Sequence, residues 1–315
     1  MAAPAEPIEH TRHVGSRRVP LRTLERTDVE SDTMVILLHG LGLDADDYLP
    51  YLRESHQRCI AVTLYGFDRE ASHDLAPATF EQHAEYLSAL IADLQREYPA
   101  LRFVLVGFSL GADMIIRLAD YWAEQACESP HITEAVLLDP NINHTTMTIS
   151  RVLADANPSN PLPVLKRIAA LPGSMASFRA IINYLGKILN KDICHLDRLS
   201  TYAVNYWQPD GYEPFRDRLA KVKHFVGEVR VLMSDDYQSH MDALRGFQDD
   251  KLTFEIVQGS DHFNLIDLDN FAHAIDRHPS PRELSPWAAN GRAAAHLHSE
   301  AQGRSWLAGS ASRRP

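Results

Sequence analysis

Cysteine is scarce in this sequence, with three residues, Cys59, Cys127 and Cys194, in a chain of 315. They are odd in number, far apart and without C-x-x-C spacing. That excludes a disulfide framework and a zinc ribbon, and reads as reduced thiols of a cytoplasmic protein. No apolar run reaches the length that spans a bilayer, so no membrane span is expected. The stretch 1–9 is rich in Ala, Pro and Glu and lacks an apolar segment, so no secretory signal is expected. Basic residues are in the minority, 31 against 42 acidic ones, for a formal net charge of -11. Without a dense cationic face, nucleic acid is excluded as a partner. The 16 histidines are scattered, with no H-E-x-x-H or comparable ligand pair, so no metal is expected, and the reaction read below requires no cofactor.

The chain is long enough for one large domain with an inserted subdomain, or for two small ones. Strand-like and helix-like segments alternate from about 18 to 277, the pattern of a mostly parallel sheet covered by helices. Residues 11–27 read as two short strands turning at Gly15-Ser16. The run Met34-Val35-Ile36-Leu37-Leu38 reads as a central strand buried on both faces. A helix is predicted over 46–54 and a strand over 59–64. A longer helix is predicted over 79–98, where Thr79 and Gln82 form a capping box and Phe80, Leu87, Leu90, Ile91 and Leu94 recur at helical spacing. Strands are predicted at 103–106 and 135–138. The alternation then breaks: 141–228 holds only helix-like pieces, including 163–171, 175–189 and 212–222. It resumes with a strand at 229–233, a helix near 238–247, a strand at 252–257 and a helix over 267–277. The reading is therefore an arm at 1–17, a body at 18–140 and 229–278 split by a helical insertion at 141–228, and a tail at 279–315. The tail is rich in Ala, Ser, Arg, Gly and Pro and is expected to be disordered.

Three motifs carry chemistry. Gly107-Phe108-Ser109-Leu110-Gly111 follows an apolar strand and opens a helix. A tight strand-to-helix turn lifts Ser109 Oγ clear of the sheet, where the helix N-terminus and the Leu110 N–H favour negative charge. His39-Gly40-Leu41-Gly42 follows the central strand, and the Leu41 N–H would complete an oxyanion hole with Leu110. His39 itself is read as a structural histidine of the turn. Gly259-Ser260-Asp261-His262-Phe263 lies beyond the last strand, from which His262 can reach over the nucleophile as its general base.

In this order the three motifs resemble the α/β-hydrolase superfamily over about 18–277. The resemblance implies an α/β fold with an eight-stranded, mostly parallel sheet, helices on both faces and a helical cap inserted after the sixth strand. It also implies a Ser-Asp-His triad. Members with an aspartate nucleophile, such as haloalkane dehalogenases and epoxide hydrolases, are excluded because position 109 is serine. The stretch from Thr79 to Leu138-Asp139-Pro140, with His262-Phe263, is also similar to thioesterase domains that release acyl chains from carrier proteins. For the acid, Asp235 and Asp236 lie after the strand at 229–233, the superfamily's usual place. Asp139 lies where the thioesterase domains carry theirs. The expectation is Asp236, with Asp139 and Asp235 as alternatives.

The reaction expected is hydrolysis of an ester or thioester through an acyl-enzyme. The substrate is a small molecule or an acyl chain, free or on a carrier protein. Two rivals stay open: acyl transfer or another non-hydrolytic reaction on the same triad, and a non-catalytic binding protein on a hydrolase fold. The insertion is expected to form a lid whose inner face, drawn from Leu165, Ile168, Phe178, Ile181, Ile182 and Leu185, binds a greasy group.

Overall fold

A computed structural model describes residues 6–68, 78–126, 131–157, 159–171, 175–190, 194–205 and 209–275. The expected tail at 279–315 lies outside the described residues. Eight strands form one sheet: β1 (Ile8–Val14), β2 (Val19–Arg26), β3 (Thr33–Leu38), β4 (Arg58–Val62), β5 (Arg102–Phe108), β6 (Ile132–Leu138), β7 (Val226–Met233) and β8 (Leu252–Ile256). Their order across the sheet is β1-β2-β4-β3-β5-β6-β7-β8. The pairs β1–β2 and β2–β4 are antiparallel, and every later pair is parallel. The expected arm at 1–17 is described from residue 6 onward. Residues 8–14 are an edge strand, held in part by Arg12 donating to Glu25 on β2 and to Glu97.

Residues of β3 are all buried, as its unbroken apolar run requires for a strand covered on both faces. The main helices of the body are α1 (Leu49–Glu54), α2 (Phe80–Glu97), α3 (Leu110–Glu124) and, near the C-terminal end, α9 (Met241–Arg245) and α10 (Leu268–Ile275). Helix α2 begins where its sequence says: the Thr79 hydroxyl accepts from Gln82 N–H and the Gln82 side chain accepts from Thr79 N–H. Its buried face, Phe80, Leu87, Leu90, Ile91 and Leu94 among others, is the one that the helical spacing marks out.

Between β6 and β7 lie α4 (Thr148–Ala154), α5 (Leu162–Ala169), α6 (Met175–Asn190), α7 (Cys194–Asn205) and α8 (Glu213–Phe225). Helix α8 packs against α3 and β7 and runs straight into that strand. It belongs to the covering of the sheet, so the insertion expected to end at 228 ends before α8. The cause is the apolar face Phe215, Leu219, Val222 and Phe225, which is buried and includes a Trp122–Phe225 ring contact.

The ends of β3 and β5 meet the start of α3 with no spare room. A Cβ on Gly111 would stand 2.1 Å from the Leu38 carbonyl oxygen and 2.9 Å from that of His39. A Cβ on Gly107 would stand 2.4 Å from the Gly111 carbonyl group. Both glycines of the G-x-S-x-G motif are therefore required by backbone packing. Gly111→Ala is expected to displace backbone at the sheet centre and to cost about 3 kcal/mol or more, read as a large fall in melting temperature or loss of soluble protein. Gly186→Ala is the control, since its Cβ meets nothing within 4 Å inside α6. It is expected to leave stability unchanged or raise it by up to about 1 kcal/mol.

Candidate active site

Ser109 sits at the turn between β5 and α3 with φ 51° and ψ −115°. This left-handed backbone is costly for a residue with a Cβ and persists because its surroundings hold it. The Ser109 N–H donates to the Leu138 carbonyl at 2.8 Å, and the Ser109 carbonyl accepts from Asp113 N–H at 3.1 Å. Leu110 is the first residue of α3, so its N–H belongs to the helix end, where backbone donors have no intrahelical partner.

The loop after β3 is held by a histidine. His39 is fully buried; its Nε2 accepts from the Leu64 N–H at 3.0 Å, which leaves the ring proton on Nδ1 to donate to the Gly40 carbonyl at 2.8 Å. His39 thus has the structural place expected of it. Gly40 and Leu41 line the same pocket as Ser109 and His262.

His262 lies on the turn after β8. Asp261 shapes that turn, its carboxylate accepting from the N–H groups of Phe263 at 3.0 Å and Asn264 at 3.1 Å. The Asn264 side chain returns a bond to Asp261 N–H at 2.8 Å. The His262 ring lies beside the Phe108 ring, with centroids 5.0 Å apart.

The carboxylate at His262 Nδ1 is that of Asp139, 2.9 Å away, and not that of Asp236. Asp139 is fully buried and its Oδ1 accepts from Ser234 N–H at 2.7 Å, while Oδ2 also accepts from the Ser234 hydroxyl at 2.8 Å. Its backbone turns through φ 44°, with its N–H on the Leu232 carbonyl at 2.9 Å. Tyr237 closes the far side, its hydroxyl donating to the Pro140 carbonyl at 3.1 Å. Burial, followed by the Asp139 charge, pushes that phenol well up.

The expectation of Asp236 at the ring is corrected for a physical reason. After β7 the chain enters a short 3-10 helix over Asp235–His240. That helix turns Asp236 toward the His262 backbone N–H at 3.3 Å and Asp235 toward the Gly259 N–H at 2.9 Å. Both carboxylates brace the histidine loop by its main chain. Burial raises the Asp236 pKa, an effect opposed by the bond from His262 N–H.

Sequence reading did not single out Ser234 or Asn264. Ser234 carried no signal beyond following a strand. Asn264, two residues after His262 and three after Asp261, fits a turn-closing pattern.

Ser109 and His262 open on a pocket of about 160 Å³. Leu41, Leu43, Phe108, Ile149, Tyr184, Phe263 and Ile266 supply its apolar wall, and Asp47, Ser150, Asn183, Lys187 and Asp267 its polar positions. The residues expected to give the insertion an apolar inner face do not line it. Ile168 and Ile181 are buried in packing, Leu165 and Leu185 are half-buried, and Phe178 and Ile182 are 52% and 47% exposed. The pocket meets the α6 face that carries Ala180, Asn183, Tyr184 and Lys187, while Phe178 and Ile182 lie on another. Among the described residues, no group of three or more His, Cys, Asp or Glu is placed to hold a metal, and no helix is long and apolar enough to cross a membrane.

Comparison with known proteins adds the family. No curated protein matches the chain in sequence. Among solved structures, an esterase from Thermogutta terrifontis is similar with a TM-score of 0.60 at 16% identity, over 87% of this chain and 97% of that one. An esterase from Rhodococcus sp. ECU1013 gives 0.56 at 16% identity, over 87% and 98%. A haloalkane dehalogenase from Agrobacterium tumefaciens C58 gives 0.58 at 15% identity, over 86% and 96%. Identities this low carry the fold and leave the reaction to the site. A profile described as the alpha/beta hydrolase family matches residues 35–274. With that match spanning most of the chain and the sheet in the order found, the protein belongs to the alpha/beta hydrolase family.

Proposed function

We propose that the chain is a serine hydrolase that cleaves an ester or thioester through an acyl-enzyme, with Ser109 as nucleophile, His262 as general base and Asp139 as the acid. The observation that carries this reading is the run of hydrogen bonds from Ser234 through Asp139 to His262 Nδ1, with His262 opening on the same pocket as Ser109. The bond from Nδ1 leaves Nε2 as the basic nitrogen, and the buried carboxylate stabilises the imidazolium formed when Ser109 gives up its proton. Ser109 Oγ attacks the carbonyl carbon, and the oxyanion is held by the N–H groups of Leu41 and Leu110. The proton passes from His262 to the leaving alcohol or thiol. Water then attacks the acyl-enzyme by the same route and returns Ser109.

The helical segment over α4–α7 acts as the cap, with Ile149 and Ser150 of α4 and the pocket face of α6 over the serine. The acid on the loop after β6 lies where the resemblance places it in thioesterase domains, which keeps a thioester beside an ester as the substrate. A cavity of about 160 Å³, close to what holds one benzene, suits a short or compact acyl group and not a long chain.

Asn substitutions test the acid. Asp139→Asn is expected to lower kcat by roughly 10³–10⁴-fold, while Asp235→Asn and Asp236→Asn stay within about tenfold of wild type because their bonds go to main chain. A loss confined to Asp236→Asn contradicts the assignment. A fluorophosphonate probe is expected to label the wild-type protein and not Ser109→Ala; a folded wild-type chain that takes no label is a binding protein. Across p-nitrophenyl esters and acyl-CoA thioesters, kcat/KM is expected to peak at about four to six acyl carbons and to fall for long chains. A steady rise toward long chains contradicts the pocket assignment.

A further inference from the structure

Helix α6 meets the loop after β3 through one turn of its surface. The Tyr184 hydroxyl donates to the Leu41 carbonyl at 2.9 Å, in a buried contact. Lys187, one turn on, is ion-paired with Asp47, which is 4% exposed. Ile188 lies against Gly42, where an added Cβ would stand 3.5 Å from Ile188 Cγ1 and 3.2 Å from the Tyr184 hydroxyl. Gly42 has φ +80°, so no other residue takes this backbone without strain, and the α6 surface closes over it.

Leu41 is therefore gripped from two sides. On the side of the body, the Gly40 carbonyl accepts both the His39 Nδ1–H at 2.8 Å and the Leu43 N–H at 3.1 Å. Those bonds hold the Gly40–Leu41 peptide, which carries the Leu41 N–H, by its carbonyl end alone. On the side of the cap, Tyr184 fixes the next peptide plane, between Leu41 and Gly42. The first grip is part of the sheet end and is always present. The second comes from a helix of the cap, so it exists only while α6 is docked.

We propose that Tyr184 is a positioning residue that sets the Leu41 N–H for the oxyanion, so that the oxyanion site is complete only when α6 lies on the loop. The proposal rests on the reading of Leu41 as an oxyanion donor. The Tyr184 ring lines the pocket with Ser109 and His262, while its hydroxyl is spent on the Leu41 backbone. Its hydroxyl is a dependable donor, because complete burial raises its pKa well above that of free tyrosine.

A second hydroxyl tie between cap and body supplies the control. Tyr202 on α7 pairs its hydroxyl with His83 Nε2 on α2 at 2.9 Å, in a ring cluster with Phe67 and Phe80. Burial lowers the His83 pKa to about 3, so this tie is between neutral groups at ordinary pH.

The test compares Tyr184→Phe with Tyr202→Phe, each shown to be folded by circular dichroism. Two rates are read: steady-state ester hydrolysis, and phosphonylation of Ser109 by a neutral fluorophosphonate, which also builds negative charge on the oxyanion oxygen. Tyr184→Phe is expected to lower kcat and the phosphonylation rate by about tenfold or more with KM within about twofold, while Tyr202→Phe leaves both rates within about twofold. Wild-type rates in Tyr184→Phe overturn the proposal. Equal losses in both variants also overturn it, because the effect then belongs to cap docking in general. If the wild-type protein itself takes no label, it is the hydrolase reading that fails, and the two failures are told apart.

Discussion

At position 111 there is room for a hydrogen atom and nothing larger, and the arrangement of the site depends on that constraint. The start of α3 lies on the carbonyls of Leu38 and His39, at the end of the central strand. This contact joins two loops that are distant in sequence, the one after β3 and the turn carrying Ser109. Their backbone N–H groups, at Leu41 and Leu110, are the two proposed oxyanion donors. Main-chain packing at Gly111 brings the two loops together, and the bond from Tyr184 to the Leu41 carbonyl adds a second hold on one of them. Preorganised donors of this kind contribute most when they need no rearrangement during the reaction.

A second constraint is electrostatic. Asp139 is a fully buried carboxylate, a state that is costly unless its oxygens are supplied with donors. Three reach it: the Ser234 N–H, the Ser234 hydroxyl and the His262 ring. The carboxylate thus holds the ring and is held in turn by the end of β7. The backbone around it is pinned by Asp113, whose buried carboxylate accepts from the Asn141 main chain at 3.1 Å. Asp236, exposed and bonded to main chain, has neither the burial nor the reach.

Features fixed by short-range physics were legible in the sequence. The β3 run, the α2 capping box, the G-x-S-x-G turn and the loop of His262 each declare themselves within a few residues, and the structure places Ser109 and His262 on one pocket. The acid was not legible because three aspartates sit on neighbouring loops. Choosing among them requires the register of β6 beside β7 and the 3-10 turn that aims Asp235 and Asp236 at main chain. The cap misled for a related reason. Helical spacing marks Phe178 and Ile182 as one apolar face with no sign of what covers it, and in the structure that face is exposed. Similarly, residues 213–225 read as part of the insertion until their packing on α3 and β7 assigned them to the body.

The central claim is that Asp139 holds the His262 ring through Nδ1. Proton NMR on protein labelled with ¹⁵N-histidine observes that bond directly, as a low-field imidazole N–H identified by its loss in His262→Ala. The account predicts that this resonance vanishes or moves far upfield in Asp139→Asn and persists in Asp236→Asn. Its persistence in Asp139→Asn together with its loss in Asp236→Asn would contradict the account.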